Sequence, residues 1–245
     1  NVTNNISDEY QMLQHFSQFV ELTGKTFPST ENISSASRKI VEMVTRNNNE
    51  VMSVESPDAL LIKWLDTEYS LFKAVENNCY SNLLEKPFTS VEKLIETANI
   101  MLNRRKSRAG KSLEHHLCSI FNFNKLKFDY QAKTEKNKKP DFIFPGVKYY
   151  FEDKFSRNLV FLASKTTCKD RWRQILNEAD RIKIKQLFTL QQGISGNKLE
   201  EMEDNNVVLV TPSEYKGSFP KPYQSKILSL QDFIGNTKKI TDIKI

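Results

Sequence analysis

Residues 159–180 read LVFLASKTTCKDRWRQILNEAD, an apolar run that passes within a few residues into a segment crowded with charge. The run LVFLAS has the length and the Val, Phe and Leu content of a buried strand. From Lys169 to about Lys185 the period changes to that of a helix. At about 100° per residue, Trp172, Ile175, Leu176, Ala179, Ile182 and Lys183 share one flank, and all but the last suit a packing face. Arg171, Gln174 and Glu178 gather at the border of that flank. The residue four beyond Glu178 is Ile182 rather than a cation, so this carboxylate borders the core without a helical partner.

The rest of the C-terminal half repeats the alternation. KFDYQA (127–132), DFIFPG (141–146), KYYFEDKF (148–155), KQLFTL (185–190) and NVVLVTP (206–212) read as strands, with a second, shorter helix near Lys198–Met202. Strands alternating with helices predict an α/β layer structure with a mixed sheet. SKILSLQDFIGNTKKI (225–240) reads as a peripheral strand or helix. Residues 1 to about 100 are helical in pattern: SDEYQMLQHFSQFVELTG, SSASRKIVEMVTRN, SPDALLIKWLDTEYSLFKAVENN and SVEKLIETANIMLNRRKSR each carry apolar residues at helical spacing. After the break suggested by RAGK, SLEHHLCSIFNF reads as one more helix. The expected division is a helical region over 1–103 and a core over 104–245.

The 245 residues hold 38% hydrophobic side chains, enough for a core, and no apolar run nears the roughly 20 residues that span a bilayer. The opening NVTNNISDEY lacks a basic stretch followed by an apolar one, so neither a membrane anchor nor a leader is expected. Three cysteines without CxxC spacing argue against a disulfide scaffold or a structural zinc site, and an intracellular location is expected. The net charge of +6 suits a polyanion-binding surface, to be decided by how the charge is distributed.

The acidic residues sharpen that. Asp141 follows Pro140 at the mouth of an apolar strand, where it either caps the strand or binds a metal. Phosphodiester cleavage needs hard oxygen ligands for Mg²⁺, and a lysine to stabilise developing charge or orient the attacking water. Two partner sets are open. Glu152 and Lys154, two apart on KYYFEDKF, would share a strand face, and with Asp141 eleven residues upstream they give the usual form of the PD-(D/E)XK nuclease site. Lys165 at the strand exit, with Glu178 thirteen residues later, is the second. Thr167 and Asp170 resemble a capping box. Arg104, Arg105, Lys106, Arg108 and Lys111 lead into a segment containing Glu114, and read either as a solvated basic turn or as phosphate contacts beside a further acidic group. His115 and His116 are adjacent and cannot form a helical metal pair.

KSRAGKSLEHHL (106–117), KKPDFIFP (138–145), LASKTTCKDRWRQILNEADRI (162–182) and FTLQQGIS (188–195) followed by EM together resemble the catalytic domain of the EcoRII-type restriction endonucleases, the group that includes SsoII and PspGI. The resemblance runs from roughly Ser56 to Pro212. It implies a PD-(D/E)XK core whose second carboxylate comes from the helix: Asp141 and Glu178 would hold Mg²⁺, Lys165 would be the active-site lysine and Glu114 an additional acidic residue. It therefore favours Lys165 and Glu178 over Glu152 and Lys154.

The family reads DNA with the segment just after the lysine, here Lys169, Asp170 and Arg171. Arg or Lys donates to guanine O6 and N7, and a carboxylate accepts from cytosine N4, which suits CC/GG half-sites. The resemblance implies a homodimer that cuts double-stranded DNA at CCWGG or CCNGG sites and flips the central bases, with Trp64, Tyr69 and Phe72 in the region of the base pocket. No small-molecule cofactor is expected, and a bacterial or archaeal cytoplasm is the implied setting. Both an isolated catalytic fragment and a naturally shorter enzyme are consistent with a chain that opens on Asn. The competing expectations are another nuclease built on Asp141, Glu152 and Lys154, and a catalytically inactive DNA-binding module.

Overall fold

The computed structural model describes residues 2–47, 56–152, 157–168 and 171–242, and the chain divides into two units. The first comprises residues 1–55 and 60–116, the second 56–59 and 117–245.

The first unit is helical throughout its described residues. α1 (Val2–Thr23) ends at Gly24, whose left-handed φ of 58° lets its N–H turn back to the Val20 carbonyl at 3.0 Å. α2 (Thr30–Asn47), most of α3 (Pro57–Leu84) and most of α4 (Val91–Phe123) complete it. Phe16, Ile33, Ile40, Val44, Leu71 and Phe72 form its core, each contributing roughly 1.5–3 kcal/mol by leaving water.

RAGK does not break the chain: α4 runs unbroken through Gly110, and the expected boundary near residue 104 falls inside it. An interior glycine costs about 1 kcal/mol. Contacts from α4 to α3 offset this. Arg105 forms a two-point ion pair with Glu76, with Nη2 to Oε2 at 2.6 Å, and Arg108 Nη1 reaches Glu68 Oε1 at 2.9 Å. Arg104 lies over the Phe27 ring at 4.2 Å and donates to the Tyr80 hydroxyl. The basic run is thus no solvated turn, because three of its five cations are engaged within the unit. His116 is fully buried, its Nε2 2.8 Å from Glu68 Oε2 and its Nδ1 3.2 Å from Arg38 Nη1.

The second unit carries the predicted mixed sheet, in the order β1-β2-β3-β4-β5. β1 (Asp129–Tyr130), β2 (Phe142–Phe144) and β3 (Val160–Lys165) pair antiparallel, and β3, β4 (Lys185–Thr189) and β5 (Val207–Val210) pair parallel. Side chains alternate between two dry faces, so every position of β2 is buried. One face holds Ile143, Phe161, Ala163 and Leu187 against Trp172, Ile175 and Ile182. The other holds Phe142 and Phe144, which meet Phe121 edge-on at 5.2 Å, with Phe233 of α8 (Leu230–Thr241) closing over Phe144 at 5.6 Å. α6 (Gly196–Asp204) fulfils the shorter predicted helix, α7 (Lys221–Gln224) is a single turn, and the C-terminal segment is helical in α8.

Two expected elements differ. The described part of KYYFEDKF, residues 148–152, is not a strand, because its first residues close a single helical turn, α5 (Val147–Tyr150), that buries Tyr150. The helix expected from Lys169 to Lys185 is, among the described residues, a 3-10 segment (Arg171–Asn177) followed by turns. It buries the predicted residues Trp172, Ile175, Ala179 and Ile182, but Ala179 adopts a left-handed φ of 48°, which no α-helix continues through.

Candidate active site

Strand alternation sets the site. Extending the β2–β3 register by one residue brings Asp141 beside Ala163, on the face shared with Phe161 and Lys165. Asp141, only 8% exposed, is held by its neighbours: its Oδ2 accepts from the Ser164 backbone N–H at 2.8 Å, from Ser164 Oγ at 3.3 Å and from Lys165 Nζ at 3.1 Å. Lys165 ends β3 opposite Thr189 of β4. The loop beyond is pinned by Gln191, whose Oε1 accepts from the Cys168 N–H at 2.9 Å.

Glu178 follows the 3-10 segment, half-buried. Its carboxyl is pushed above the usual range, first by burial and then by the negative charge of Asp141, while Lys165 opposes the shift. Asp141, Lys165 and Glu178 therefore share one electrostatic neighbourhood. Two carboxylates that repel one another in a partly desolvated place fit a hard divalent cation, which relieves both. Among the described residues no cluster of three His, Cys, Asp or Glu side chains surrounds them, so water and phosphate oxygens would complete the sphere, as suits a small, strongly hydrated ion.

The strain has a measurable consequence. A carboxyl whose folded pKa is raised destabilises the fold once the solution is basic enough to ionise it in the unfolded chain. Glu178→Gln should therefore unfold at a higher temperature than wild type in EDTA near neutral pH, with the gap closing as the pH falls below the ordinary glutamate range. Equal melting temperatures at neutral pH would contradict the repulsion.

The other sequence candidates are spread more widely. Glu114 lies half-exposed on α4, in the first unit. Arg171 opens the 3-10 segment with its side chain exposed, while Lys169 and Asp170 lie outside the described residues. Glu152 follows the α5 turn rather than sitting on a strand, and Lys154 lies outside the described residues. Trp64 and Phe72 are buried; Tyr69 is 50% exposed, with the Arg108 guanidinium 5.7 Å from its ring centre.

Two contributors escaped the sequence reading. Ser164, one residue before the lysine, fixes the Asp141 carboxylate from both backbone and side chain. Lys185, at the start of β4, donates Nζ to the carbonyls of Glu178 at 2.5 Å and Ala179 at 2.7 Å. Burial pushes its ammonium down to about 8, against the opposing negative charges of Asp180, Glu135 and Glu178. A lysine inside the apolar run IKIKQLFTL was the available signal.

The mixed sheet flanked by helices matches the fold of solved restriction endonucleases. The chain belongs to the family described as EcoRII C terminal, whose model matches residues 72–234. It is 47% identical over 180 residues to the type II restriction enzyme EcoRII of Escherichia coli, covering 73% of this chain and 45% of that protein. It is 28% identical over 147 residues to the type II restriction enzyme SsoII of Shigella sonnei, covering 56% and 47%. The chain thus spans about half the length of these curated relatives. The solved complex of restriction endonuclease PspGI with substrate DNA superposes with a TM-score of 0.68 at 18% identity, over 88% of this chain and 94% of that one.

Proposed function

We propose that this chain is the cleaving part of a type II restriction endonuclease, a homodimer that cuts double-stranded DNA at a CCWGG or CCNGG site in the cytoplasm of a bacterium or archaeon. The reading is carried by the 3.1 Å contact of Lys165 with Asp141 at the end of β3, with Glu178 near enough to feel the charge of both, in a chain 47% identical to EcoRII over 180 residues.

Asp141 and Glu178 would hold Mg²⁺, which when bound polarises the scissile phosphate and eases deprotonation of the attacking water. Ser164 keeps the Asp141 carboxylate in one orientation. Lys165 holds its ammonium 3.1 Å from that carboxylate, where it would stabilise the charge that builds on the phosphate or orient the attacking water. Glu114 adds a further acidic group. Lys169, Asp170 and Arg171 read the C·G pairs, and Tyr69, exposed where Trp64 and Phe72 are not, supplies the platform for a flipped base.

Digesting a bacterial genome with and without Mg²⁺ and sequencing the ends tests the proposal. Ends at CC…GG sites, appearing only with Mg²⁺, are expected. Tight DNA binding with no cleavage of any DNA would overturn it in favour of an inactive binding module. Replacing Arg171 with alanine should weaken specific binding by about 1–3 kcal/mol and relax preference at one base pair. An unchanged sequence preference would remove Arg171 from the reading role.

A further inference from the structure

Lys185 has no part in the chemistry above, yet it is 4% exposed and too deep to meet a DNA phosphate. Its stem follows the same sheet face as Leu187, and its Nζ lies 5.2 Å from the centre of the Phe161 ring. Two of its three ammonium protons go to consecutive backbone carbonyls, those of Glu178 and Ala179. Consecutive carbonyls converge on one donor here because the chain reverses at Ala179, in the left-handed region, where an L-residue is disfavoured by roughly 1–2 kcal/mol. The Ala179 carbonyl also accepts from the Ile182 N–H at 2.9 Å, so the lysine locks a turn that has few bonds of its own. Downstream, the Arg181 N–H donates to the Tyr150 hydroxyl at 3.1 Å, and Lys138 pairs with Asp180 at 3.1 Å. These contacts hold the far side of the turn; on the near side the Glu178 N–H donates to the Ile175 carbonyl at 3.0 Å, and the Glu178 carbonyl is held by Lys185.

We propose that Lys185 is a positioning residue that fixes the Glu178 carboxylate at the cleavage site by holding the backbone of its turn. The proposal rests on the reading of Asp141, Lys165 and Glu178 as the cleaving set. A carboxylate delivered by a long regular helix would be aimed by the helix itself. Here the 3-10 segment ends one residue before Glu178, and the buried ammonium does that work from beneath.

The test compares Lys185→Met, which keeps the apolar stem and removes the donors, with Lys185→Arg, which keeps donors in a different geometry. In Lys185→Met, amide hydrogen exchange of residues 178–182 should quicken at least tenfold in metal-free protein, while the β3 and β4 amides keep their protection. Mg²⁺ binding to the protein on a non-cleavable DNA duplex, followed by calorimetry, should weaken about 10–100-fold, as is usual when a group supporting a metal ligand is lost. DNA affinity without metal should stay within about twofold, and Lys185→Arg should show a smaller shift in the same direction. A folded Lys185→Met with wild-type exchange and Mg²⁺ affinity overturns the proposal. If Lys185→Met does not fold, Lys185→Arg decides, and wild-type exchange and affinity in that variant overturn it equally. Lys165→Ala, run in parallel, separates the two levels. Cleavage at the wild-type rate in that variant would refute the site reading, while exchange and metal binding would still report whether Lys185 fixes Glu178.

Discussion

Replacing Lys165 with alanine should lower plasmid cleavage by about 10²–10³-fold while leaving metal-free DNA binding nearly intact. The ammonium stands 3.1 Å from Asp141 Oδ2, half-buried, where a fixed positive charge is worth far more than in water. Losing it removes an interaction that strengthens as charge develops on the phosphate, so kcat should fall and KM should change little. Asp141→Ala should be at least as damaging, because it removes a proposed metal ligand and leaves the Ser164 N–H without its acceptor. Lys154→Ala is the control, with near wild-type cleavage expected. The opposite result, full activity in Lys165→Ala and loss in Lys154→Ala, would move the site to Asp141, Glu152 and Lys154.

The largest effect on stability should come from a residue far from that chemistry. Asp58 is 1% exposed, and its carboxylate gathers three backbone N–H groups, those of Ser213 at 2.9 Å, Leu230 at 2.8 Å and Gln231 at 2.9 Å. Each hydrogen bond to a charged acceptor is worth about 1.5–3 kcal/mol, and alanine would strand all three donors with only partial replacement by water. Asp58→Ala should therefore cost about 3–5 kcal/mol, and Asp58→Asn, which keeps one carbonyl acceptor, about half of that. Denaturant unfolding followed through the fluorescence of Trp172, buried in the same unit, measures it. A loss below about 1 kcal/mol would show that the three N–H groups find other partners.

Asp58 also marks how far local patterns reach. Ser56, Pro57 and Asp58 read as a helix start, and the Ser56 hydroxyl does accept from the Ala59 N–H at 3.2 Å. Nothing nearby announces that Asp58 also ties segments 155 to 173 residues away. The strands β2 to β5 were legible because both faces of the sheet are dry and their apolar runs are nearly continuous. The segment after Cys168 was half legible. A spacing of three, four and three residues buries Trp172, Ile175, Ala179 and Ile182 in either kind of helix. Periodicity thus named the buried residues correctly and could not tell an α-helix from a 3-10 segment with a left-handed turn. The site divided in the same way. Spacing alone offered Glu152 and Lys154 first and Lys165 with Glu178 second, and the long match to the family reversed that order. Glu178 stands in the crossover between the parallel strands β3 and β4, which no short pattern encodes.

The glutamates of α3 change what the net charge of +6 means at a DNA surface. Affinity for a polyanion grows as the protein's cations displace ions condensed along the phosphates, and each displaced ion steepens the dependence on salt. Arg105 and Arg108 bring their neutralising anions with them, fixed on the neighbouring helix at Glu76 and Glu68. The densest basic run in the sequence therefore serves as an internal rivet between helices, and the ions shed on binding will be fewer than its five positive charges suggest.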